Sequence, residues 1–304
     1  MTNQCTIKNV IKTTGIGLHT GSKVYLTLRP APINSGITFI RSDIAGSSPM
    51  KVGALAVTDT RMATTLSIGS ASISTVEHLM SALAGLGIDN IYIEVSAPEI
   101  PIMDGSAAPF VFLIQSAGIQ TQSAARQFIR ITKPVRVEDG DKWAMFEPHD
   151  GYQLDFKIEF EHPVLKRTSP EMCFDFSSKA YIEEISRART FGFMRDLDAL
   201  REKNLALGGS LDNAIVIDDY RILNEDGLRY SNEFVRHKIL DSIGDLYQLG
   251  HPIIGRFVGF KAGHGLNNLL IRELVKNPDA YVIESFSKDE KEPISFATFT
   301  PSFS

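Results

Sequence analysis

The chain has 304 residues, of which 43% are hydrophobic and 22% charged, and its formal net charge is −5. A chain of this length can bury a sizeable core without a disulfide or a structural metal, and it suggests about two domains. The negative charge argues against a broad nucleic-acid-binding surface, and the two cysteines, Cys5 and Cys173, are too few for a disulfide framework or a cysteine-based zinc site.

The N-terminal residues lack the apolar core of a signal peptide. No apolar run approaches the roughly 20 residues that a helix needs to cross a bilayer. The low cysteine content fits a reducing compartment. These features together predict a cytoplasmic protein with no membrane-spanning segment.

Two stretches of the chain repeat one pattern of short strands. In the first half, residues 11–41 contain alternating runs separated by Gly and Pro turns, and the clearest runs are Val24–Arg29 and Ile37–Arg41. In the second half, residues 135–160 show the same period of two, bounded by Gly, Pro and Asp. Such patterns predict β-hairpins in both halves.

Each half continues with an amphipathic helix, a glycine, a strand and a further helix. This repeated order predicts an α+β fold of two related layers, each a sheet with helices on one face. The predicted segments are the helices Thr75–Leu86, Ala107–Ala117, Asn232–Leu249 and Asn267–Val275, the strands Ile91–Val95 and Ile253–Phe260, and the helix-ending glycines Gly87 and Gly250.

The small and polar stretch Gln120–Arg126 predicts a linker between the two repeats. The predicted domains are therefore residues 1–124 and residues 125–304. The second domain carries an extra βα segment near residues 194–217, which has more apolar residues than so short a segment can bury by itself. A satellite hydrophobic cluster is the alternative interpretation of that segment.

The predicted helix of the second half carries three polar residues on one stripe. His237, Asp241 and Asp245 follow one another at i+4 steps. One helical turn brings an imidazole and a carboxylate within reach of one ion, so His237 and Asp241 are candidate metal ligands. The alternative is a solvated helix face with a His–Asp ion pair.

The matching helix of the first half begins at Ser74. Ser74 and Glu77 fit a capping box, which would account for Glu77 by itself, and a lone His78 is commonly a partly buried histidine that donates to a carbonyl. If the two matching helices pack side by side, however, His78 joins His237 and Asp241 in one set. Three protein ligands with one open position are typical of a catalytic zinc site.

Other residues fit the remaining steps of a zinc hydrolase. Glu77, beside a candidate ligand, is suited to take a proton from water. His264, a loop histidine between two glycines, is a candidate proton donor, and Asp245 would orient it or keep it protonated. Thr190 is a candidate donor to an oxyanion, and its segment Ser186–Arg195 predicts either an anion-binding turn or a salt-bridged strand end.

Several runs of sequence resemble one family, in the same order along the chain. The runs are Thr14–Thr20, Ser74–His78, Gly85–Asn90, Pro101–Ser106, Ser186–Phe193, Phe234–Lys238 with Asp241 and Asp245, and Gly263–His264 with Leu266–Asn268. On these runs, from about residue 5 to past residue 270, the chain resembles the UDP-3-O-acyl-N-acetylglucosamine deacetylases, the zinc amidases of lipid A synthesis in Gram-negative bacteria. The runs are long and keep their order, so the resemblance is more specific than any single spacing.

The resemblance implies two α+β domains whose helices pack together between the sheets. It implies hydrolysis of the N-acetyl group of UDP-3-O-(3-hydroxyacyl)-N-acetylglucosamine, which releases acetate and the free 2-amine. Matched by position, the implied residues are His78, His237 and Asp241 as ligands of one catalytic zinc ion, Glu77 as general base, His264 as general acid, Asp245 as the residue that tunes His264, and Thr190 as the oxyanion donor.

The resemblance also implies contacts to the substrate. The insertion near residues 194–217 would line a passage for the acyl chain, which explains its surplus apolar residues better than a satellite cluster does. The implied contacts are Lys238 and Lys261 to the phosphates, Phe160 to uracil, and Lys142 and Phe191 to the sugar region.

Two other functions stay open on the sequence alone. One is a zinc amidohydrolase that acts on another N-acetylated nucleotide sugar. The other is a non-catalytic metalloprotein that binds nucleotide sugars. In the preferred interpretation, the partner is a UDP-linked acylated amino sugar, and the protein acts as a monomer without nucleic acid.

Overall fold

The computed structural model describes residues 3–287, 290 and 292–296, which form a mixed α+β structure. The first part of the chain contains strands β1 (Asn3–Ile7), β2 (Ile11–Ile16), β3 (Lys23–Pro30), β4 (Ile37–Arg41), β5 (Met50–Lys51), β6 (Val57–Asp59), β7 (Thr65–Ile68) and β8 (Ala71–Ile73), helix α1 (Glu77–Leu86), strand β9 (Ile91–Val95), helix α2 (Ala108–Ala117) and strand β10 (Ile119–Ala125).

The remainder of the described chain begins with several strands and ends with two longer helices. Its elements are β11 (Phe128–Ile131), β12 (Val135–Asp139), β13 (Lys142–Glu147), β14 (Tyr152–Lys157), β15 (Glu171–Asp175), helix α3 (Ser178–Ala180), β16 (Phe191–Phe193), helix α4 (Leu197–Glu202), β17 (Ile215–Ile217), helix α5 (Glu233–Leu246), β18 (Ile253–Phe260), helix α6 (His264–Lys276) and β19 (Tyr281–Glu284).

The two large sheets share one pattern of strand pairing. In the first sheet, β2 pairs antiparallel with β3, β3 pairs antiparallel with β9, and β9 pairs parallel with β4. In the second sheet, β12, β13, β18 and β14 repeat these pairings in the same order. The central strands β9 and β18 follow α1 and α5 in the chain. The repeated sequence pattern therefore corresponds to two related layers, as predicted.

The period of two along the strands determines which face of each sheet is buried. On β3, Val24, Leu26 and Leu28 are buried, and the residues between them are more exposed. Strand β14 shows the same alternation. Such alternation is typical of a sheet that is covered on one face. The buried residues of both sheets and of helices α1, α2, α5 and α6 form one continuous hydrophobic cluster.

Helices α1 and α5 pack against each other. Every residue of α1 is buried, and α5 is buried except at Arg236 and Lys238. Gly244 permits the close approach, because a Cβ atom at that position would lie only 2.0 Å from the backbone oxygen of Glu77. The matching helices of the two halves are therefore neighbours, which is the arrangement that the candidate metal site requires.

The stretch Gln120–Arg126 is not a linker. Most of it belongs to β10, which pairs antiparallel with β1 near the N-terminus. Polar residues are common on a strand with an exposed face, so composition did not distinguish this strand from a loop. The prediction of a linker was wrong.

The predicted capping box at Ser74 and Glu77 is also wrong. Helix α1 begins at Glu77 without a side-chain cap, and Ser74 Oγ donates instead to the Pro98 carbonyl oxygen at 3.3 Å. Glu77 accepts a hydrogen bond from the backbone of Thr64. A tertiary partner has replaced the local one. The helix ends as predicted, at Gly87 with a left-handed φ of 66°.

Two further features position the site. Helix α6 begins at His264, earlier than the predicted start near Asn267, so this histidine lies in the first turn of a helix. Residues 194–217 contain α4 and β17, and β17 pairs parallel with β16. No helix in the described part of the chain combines the length and the apolar character that crossing a membrane requires.

Candidate metal centre and active site

The polar stripe of α5 points into the protein. His237, Asp241 and Asp245 are 2%, 4% and 3% exposed. The alternative of a solvated helix face is therefore wrong. Buried charges require partners, and the nearest partners come from the start of α1, across the close contact at Gly244.

His78 of α1 meets His237 and Asp241 of α5. Asp241 Oδ1 lies 3.2 Å from His237 Nε2 and 3.4 Å from His78 Nε2. The two imidazole rings are 5.0 Å apart between centroids and almost perpendicular. One donor atom from each of the three residues lies within 4.8 Å of the other two. Residues from the two halves of the chain thus form one compact cluster of potential metal ligands.

The cluster fits a small tetrahedral ion. Two nitrogen or oxygen ligands about 2.0–2.1 Å from such an ion lie about 3.3 Å from each other, close to the separations at Asp241. Within the described residues, Asp241 Oδ1 is buried and has no hydrogen-bond partner. His237 Nδ1 lies 3.0 Å from the Ala188 carbonyl oxygen, which favours a proton on Nδ1 and leaves Nε2 free as a ligand.

The charge state of the cluster also suits a cation. Burial lowers the pKa of His237 to about 3, although Asp241 opposes this shift, so the imidazole is neutral at ordinary pH. Burial raises the pKa of the Asp241 carboxyl, but His237 and Lys238 overcome this effect and hold it well below its usual value. Lys238 Nζ donates to Asp241 Oδ2 at 2.8 Å, which leaves Oδ1 directed at the histidines. Two imidazoles and one carboxylate are a common ligand set for zinc.

Glu77 lies beside this cluster, next to His78 in the sequence. Its Oε2 accepts a hydrogen bond from the Thr64 backbone N–H at 3.0 Å, and its Oε1 lies 3.8 Å from His264 Nε2. Burial raises the pKa of the Glu77 carboxyl, and the charges of His264 and His78 oppose this shift. A buried carboxylate with a raised pKa and one free oxygen is suited to accept a proton.

His264, which is half-buried, and the buried Asp245 form a pair opposite Glu77. His264 Nδ1 lies 2.8 Å from Asp245 Oδ2, and Asn267 Nδ2 donates to the same oxygen at 2.9 Å. Burial by itself lowers the pKa of His264, but Asp245 and Glu77 raise it more, to about 10. The imidazole is therefore protonated at neutral pH, with Nε2–H on the Glu77 side. The structure thus brings together Glu77, His264 and Asp245.

The arginine-rich segment Ser186–Arg195 is a salt-bridged strand end. Arg189 Nε donates to Glu233 Oε1 at 2.9 Å, and both residues are buried. Because this pair anchors the segment to the start of α5, the Ala188 carbonyl stands against His237. Thr190 is the next residue after Arg189 in the chain, and its backbone N–H donates to the Gly105 carbonyl oxygen at 2.8 Å. Within the described chain, the Thr190 hydroxyl has no hydrogen-bond partner.

The five predicted substrate contacts occupy two places. Phe160 and Phe191 are in contact, with ring centroids 5.8 Å apart, and Lys238 Nζ lies 5.8 Å from the Phe191 centroid, so these residues adjoin the cluster. Lys261 follows β18, with Nζ 2.6 Å from Asp141 Oδ2 and 3.5 Å from Glu159 Oε2. Lys142 begins β13 and is exposed.

Sequence reasoning assigned no role to three residues that contact or approach the site. Thr64 connects Glu77 and Asp245. Glu99 is buried and accepts hydrogen bonds from the backbones of His19 and Thr20. Both ring nitrogens of His19 are buried without a partner in the described chain. Burial lowers the pKa of His19, Glu99 opposes this, and His264 lowers it further. The sequence signals for His19 were its position in a glycine-rich turn and its place in the run Thr14–Thr20 that resembles the deacetylase family.

Comparisons with known proteins agree over almost the whole chain. Residues 4–276 match the LpxC family model, described as UDP-3-O-acyl N-acetylglycosamine deacetylase. The chain is 61% identical over 301 residues to the UDP-3-O-acyl-N-acetylglucosamine deacetylase of Methylococcus capsulatus, and the aligned region covers 99% of each chain. It is 59% identical over 297 residues to the deacetylase of the same name from Acidithiobacillus ferrooxidans. The aligned region covers 98% of this chain and 97% of the relative.

Proposed function

The chain belongs to the UDP-3-O-acyl N-acetylglycosamine deacetylase family, and we propose how the residues of its buried site carry out that reaction. The protein is an enzyme that removes the acetyl group from UDP-3-O-acyl-N-acetylglucosamine, a step of lipid A biosynthesis. The names of its relatives favour this substrate over another N-acetylated nucleotide sugar, and they favour catalysis over binding alone.

We propose that His78, His237 and Asp241 hold one catalytic zinc ion. The observation that carries this proposal is the convergence of their donor atoms at separations of 3.2 and 3.4 Å about Asp241 Oδ1. When bound, zinc would supply Lewis-acid polarisation of the amide carbonyl and of the attacking water. Lys238 donates a hydrogen bond to Asp241 Oδ2, the oxygen that faces away from the histidines, and so orients this ligand.

Glu77 is the general base and His264 the general acid. Glu77 Oε1 takes a proton from the water molecule while the water oxygen attacks the amide carbon. The negative charge that develops on the carbonyl oxygen is stabilised in part by the Thr190 hydroxyl. The C–N bond then breaks, and His264 Nε2 gives its proton to the departing nitrogen, because an amine anion is a poor leaving group. The products are acetate and the free 2-amine of the sugar.

Asp245 keeps His264 in the state that this step requires. Its carboxylate lies 2.8 Å from His264 Nδ1 and raises the pKa of the imidazole. The proton is therefore available on Nε2 at neutral pH. Because His264 Nε2 and Glu77 Oε1 are 3.8 Å apart, both atoms can reach the same reacting group.

We also propose the substrate contacts. Lys238 has further N–H donors beyond the one it directs to Asp241 and, with Lys261, would bind the phosphates. Phe160 would stack on uracil, and Lys142 and Phe191 would contact the sugar region. In the insertion, Met194, Leu207 and Leu211 are 45%, 51% and 49% exposed, which supports a passage for the acyl chain.

Residues 1–124 and 125–304 are proposed as the two domains, supported by the repeated pairing pattern of their large sheets. The protein is proposed to act in the cytoplasm as a monomer, without nucleic acid. Its net charge of −5 supports the absence of a nucleic-acid partner. Sedimentation of the purified protein tests the oligomeric state.

The test of the function is acetate release by the purified protein. Substrates with and without the 3-O-acyl chain are compared before and after treatment with a chelator. We expect acetate from the acylated substrate, loss of activity with the metal, and recovery when Zn²⁺ is returned. Full activity in protein shown by elemental analysis to be metal-free would overturn the zinc proposal, and equal rates on both substrates would overturn the role of the acyl passage.

A further inference from the structure

Thr64, the residue before β7, contacts both the proposed base and the proposed acid pair. It is 2% exposed. Its backbone N–H donates to Glu77 Oε2 at 3.0 Å, and its hydroxyl bonds to Asp245 Oδ1 at 2.6 Å. Because Glu77 begins α1 and Asp245 lies on α5, one hairpin residue links the helices that carry the two groups.

The direction of the hydroxyl hydrogen bond follows from the partners of Asp245. The second oxygen, Oδ2, accepts from Asn267 Nδ2 at 2.9 Å and faces His264 Nδ1 at 2.8 Å. An ionised carboxylate only accepts hydrogen bonds, so the Thr64 hydroxyl donates to Oδ1. The three donors hold both carboxylate oxygens, and they therefore fix the orientation of Asp245 toward His264.

The backbone N–H of Thr64 determines which Glu77 oxygen faces the reacting group. Oε2 is held by this N–H, and Oε1 is left 3.8 Å from His264 Nε2. The positions of the base and of the acid are therefore set by the same residue. A displacement of about 1 Å at such a site can lower the rate by about 100-fold.

The chain around Thr64 is held firmly. Met62 has a φ of 67°, in the left-handed region that non-glycine residues rarely adopt. Such a conformation persists when the surrounding structure fixes it. The Thr64 carbonyl oxygen accepts from the Val76 N–H at 3.3 Å, just before Glu77. Thr64 thus uses its N–H, its C=O and its hydroxyl in contacts at the start of α1 and on α5.

We propose that Thr64 is a positioning residue of the deacetylation reaction, acting through Asp245 on His264 and directly on Glu77. The inference rests on the proposed function. The charges that face His264 come from Asp245 and Asp241 on α5 and from Glu77 on α1, and His19 approaches from the turn after β2. Thr64 contributes no charge, so its effect comes from orientation.

The test compares Thr64→Val with Thr64→Ser in the zinc-loaded full-length protein. Valine keeps the shape of threonine but removes the hydroxyl, so kcat for acetate release should fall roughly 10- to 100-fold while KM stays unchanged. Serine keeps the hydroxyl and should restore most of kcat. The matched control is Thr58→Val, which removes an exposed hydroxyl bonded to Ser67 in the same hairpin and should leave kcat unchanged.

A double-mutant cycle with Asp245→Asn distinguishes positioning from a general loss of stability. If Thr64 acts through Asp245, Thr64→Val should lower kcat far less in the Asp245→Asn background than in the wild type. Additive losses, equal losses with valine and serine, or wild-type kcat in Thr64→Val would each overturn the proposal. Thermal unfolding and zinc content establish that each variant is folded and loaded.

If Thr64→Val fails to fold, Thr64→Cys takes its place, because a thiol is a weaker hydrogen-bond donor than a hydroxyl. The expected fall in kcat and the outcomes that would overturn the proposal are then the same as for valine. The wild type and Glu77→Ala separate this inference from the proposed function. If the wild type releases no acetate, the proposed function fails. If the wild type is active, Glu77→Ala is not, and Thr64→Val equals the wild type, only the role of Thr64 fails.

Discussion

Helices α1 and α5 occupy equivalent places in the two related halves, but they supply different groups to the site. Helix α5 carries His237, Asp241 and Asp245 along one stripe, at successive turns of the helix body. Helix α1 carries its polar pair, Glu77 and His78, at adjacent positions in its first turn. The rest of α1 is small or apolar.

The difference between the helices separates the roles of their residues. Adjacent residues on a helix project about 100° apart, so His78 can join the cluster of candidate ligands while Glu77 faces His264. Residues at i+4 project from the same side, so His237 and Asp241 can meet at one point. The two equivalent helices α1 and α5 lie side by side. Their polar residues occupy different positions, and His78 of α1 therefore meets His237 and Asp241 of α5. Breaking either pattern tests this comparison.

The largest effect is expected from Glu77→Ala at the start of α1. If Glu77 is a base and not a ligand, turnover should fall by roughly 10²–10⁴-fold while the zinc content stays at the wild-type level. Acetate release and elemental analysis are the measurements. Glu183→Ala, at an exposed glutamate on another element, is the control and should retain full activity. Loss of metal in proportion to activity would show that Glu77 has another role.

A smaller effect is expected from Gly244→Ala on α5. The added Cβ would lie 2.0 Å from the backbone oxygen of Glu77, so the two helices must separate. We expect the free energy of unfolding to fall by about 1–3 kcal/mol and zinc affinity to weaken, because His78 moves away from Asp241. Denaturant unfolding and zinc titration measure the two quantities.

Gly53→Ala is the matched control for Gly244→Ala, because a Cβ at Gly53 meets no atom within 4 Å. It should leave both the unfolding free energy and the zinc affinity near the wild-type values. An unchanged zinc affinity in Gly244→Ala would contradict the view that this close approach of the helices forms the ligand cluster.

The third prediction is that Asp245→Asn shifts the pH dependence of acetate release while the protein stays folded. His264 must be protonated to act as an acid, so activity should fall as the pH rises through its pKa, which Asp245 and Glu77 raise to about 10 against the effect of burial. Asp245→Asn removes a carboxylate that raises this pKa, so the alkaline limb of kcat/KM should move to lower pH. The measurement is the pH profile of acetate release.

Asp218→Asn is the control for this shift, since Asp218 pairs with Arg221 on the surface. Its alkaline limb should coincide with that of the wild type. An unmoved limb in Asp245→Asn, or in His264→Gln with residual activity, would remove His264 from the role of general acid.

The part of the site that sequence reasoning predicted was encoded in local spacing and in the repeat. His237, Asp241 and Asp245 followed from i+4 steps within one helix. Gly87 ends α1 as predicted, and Gly250 ends the short 3₁₀ helix Tyr247–Leu249 that directly follows α5. His78 needed the further idea that equivalent helices pack together, and the structure brings its ring within 5.0 Å of His237.

The errors came from residues whose partners are distant in the sequence. Glu77 fitted a capping box with Ser74, but its hydrogen bond goes to Thr64. The stretch Gln120–Arg126 was polar enough for a linker, but most of it belongs to β10, which pairs with β1 at the opposite end of this half. In both places, a local pattern competed with a tertiary contact, and the tertiary contact prevailed.

The sequence by itself determined the α+β class, the repeated layers, the family, and the residue types on each helix, because hydrophobic period, turn residues and motif order are properties of the chain. The tertiary structure alone decided that Thr64 connects Glu77 to Asp245, that the Ala188 carbonyl orients His237, and that Lys238 bonds to Asp241 Oδ2. Hydrogen bonds depend on distance and direction in space, and these are fixed only when residues far apart in the chain are packed together.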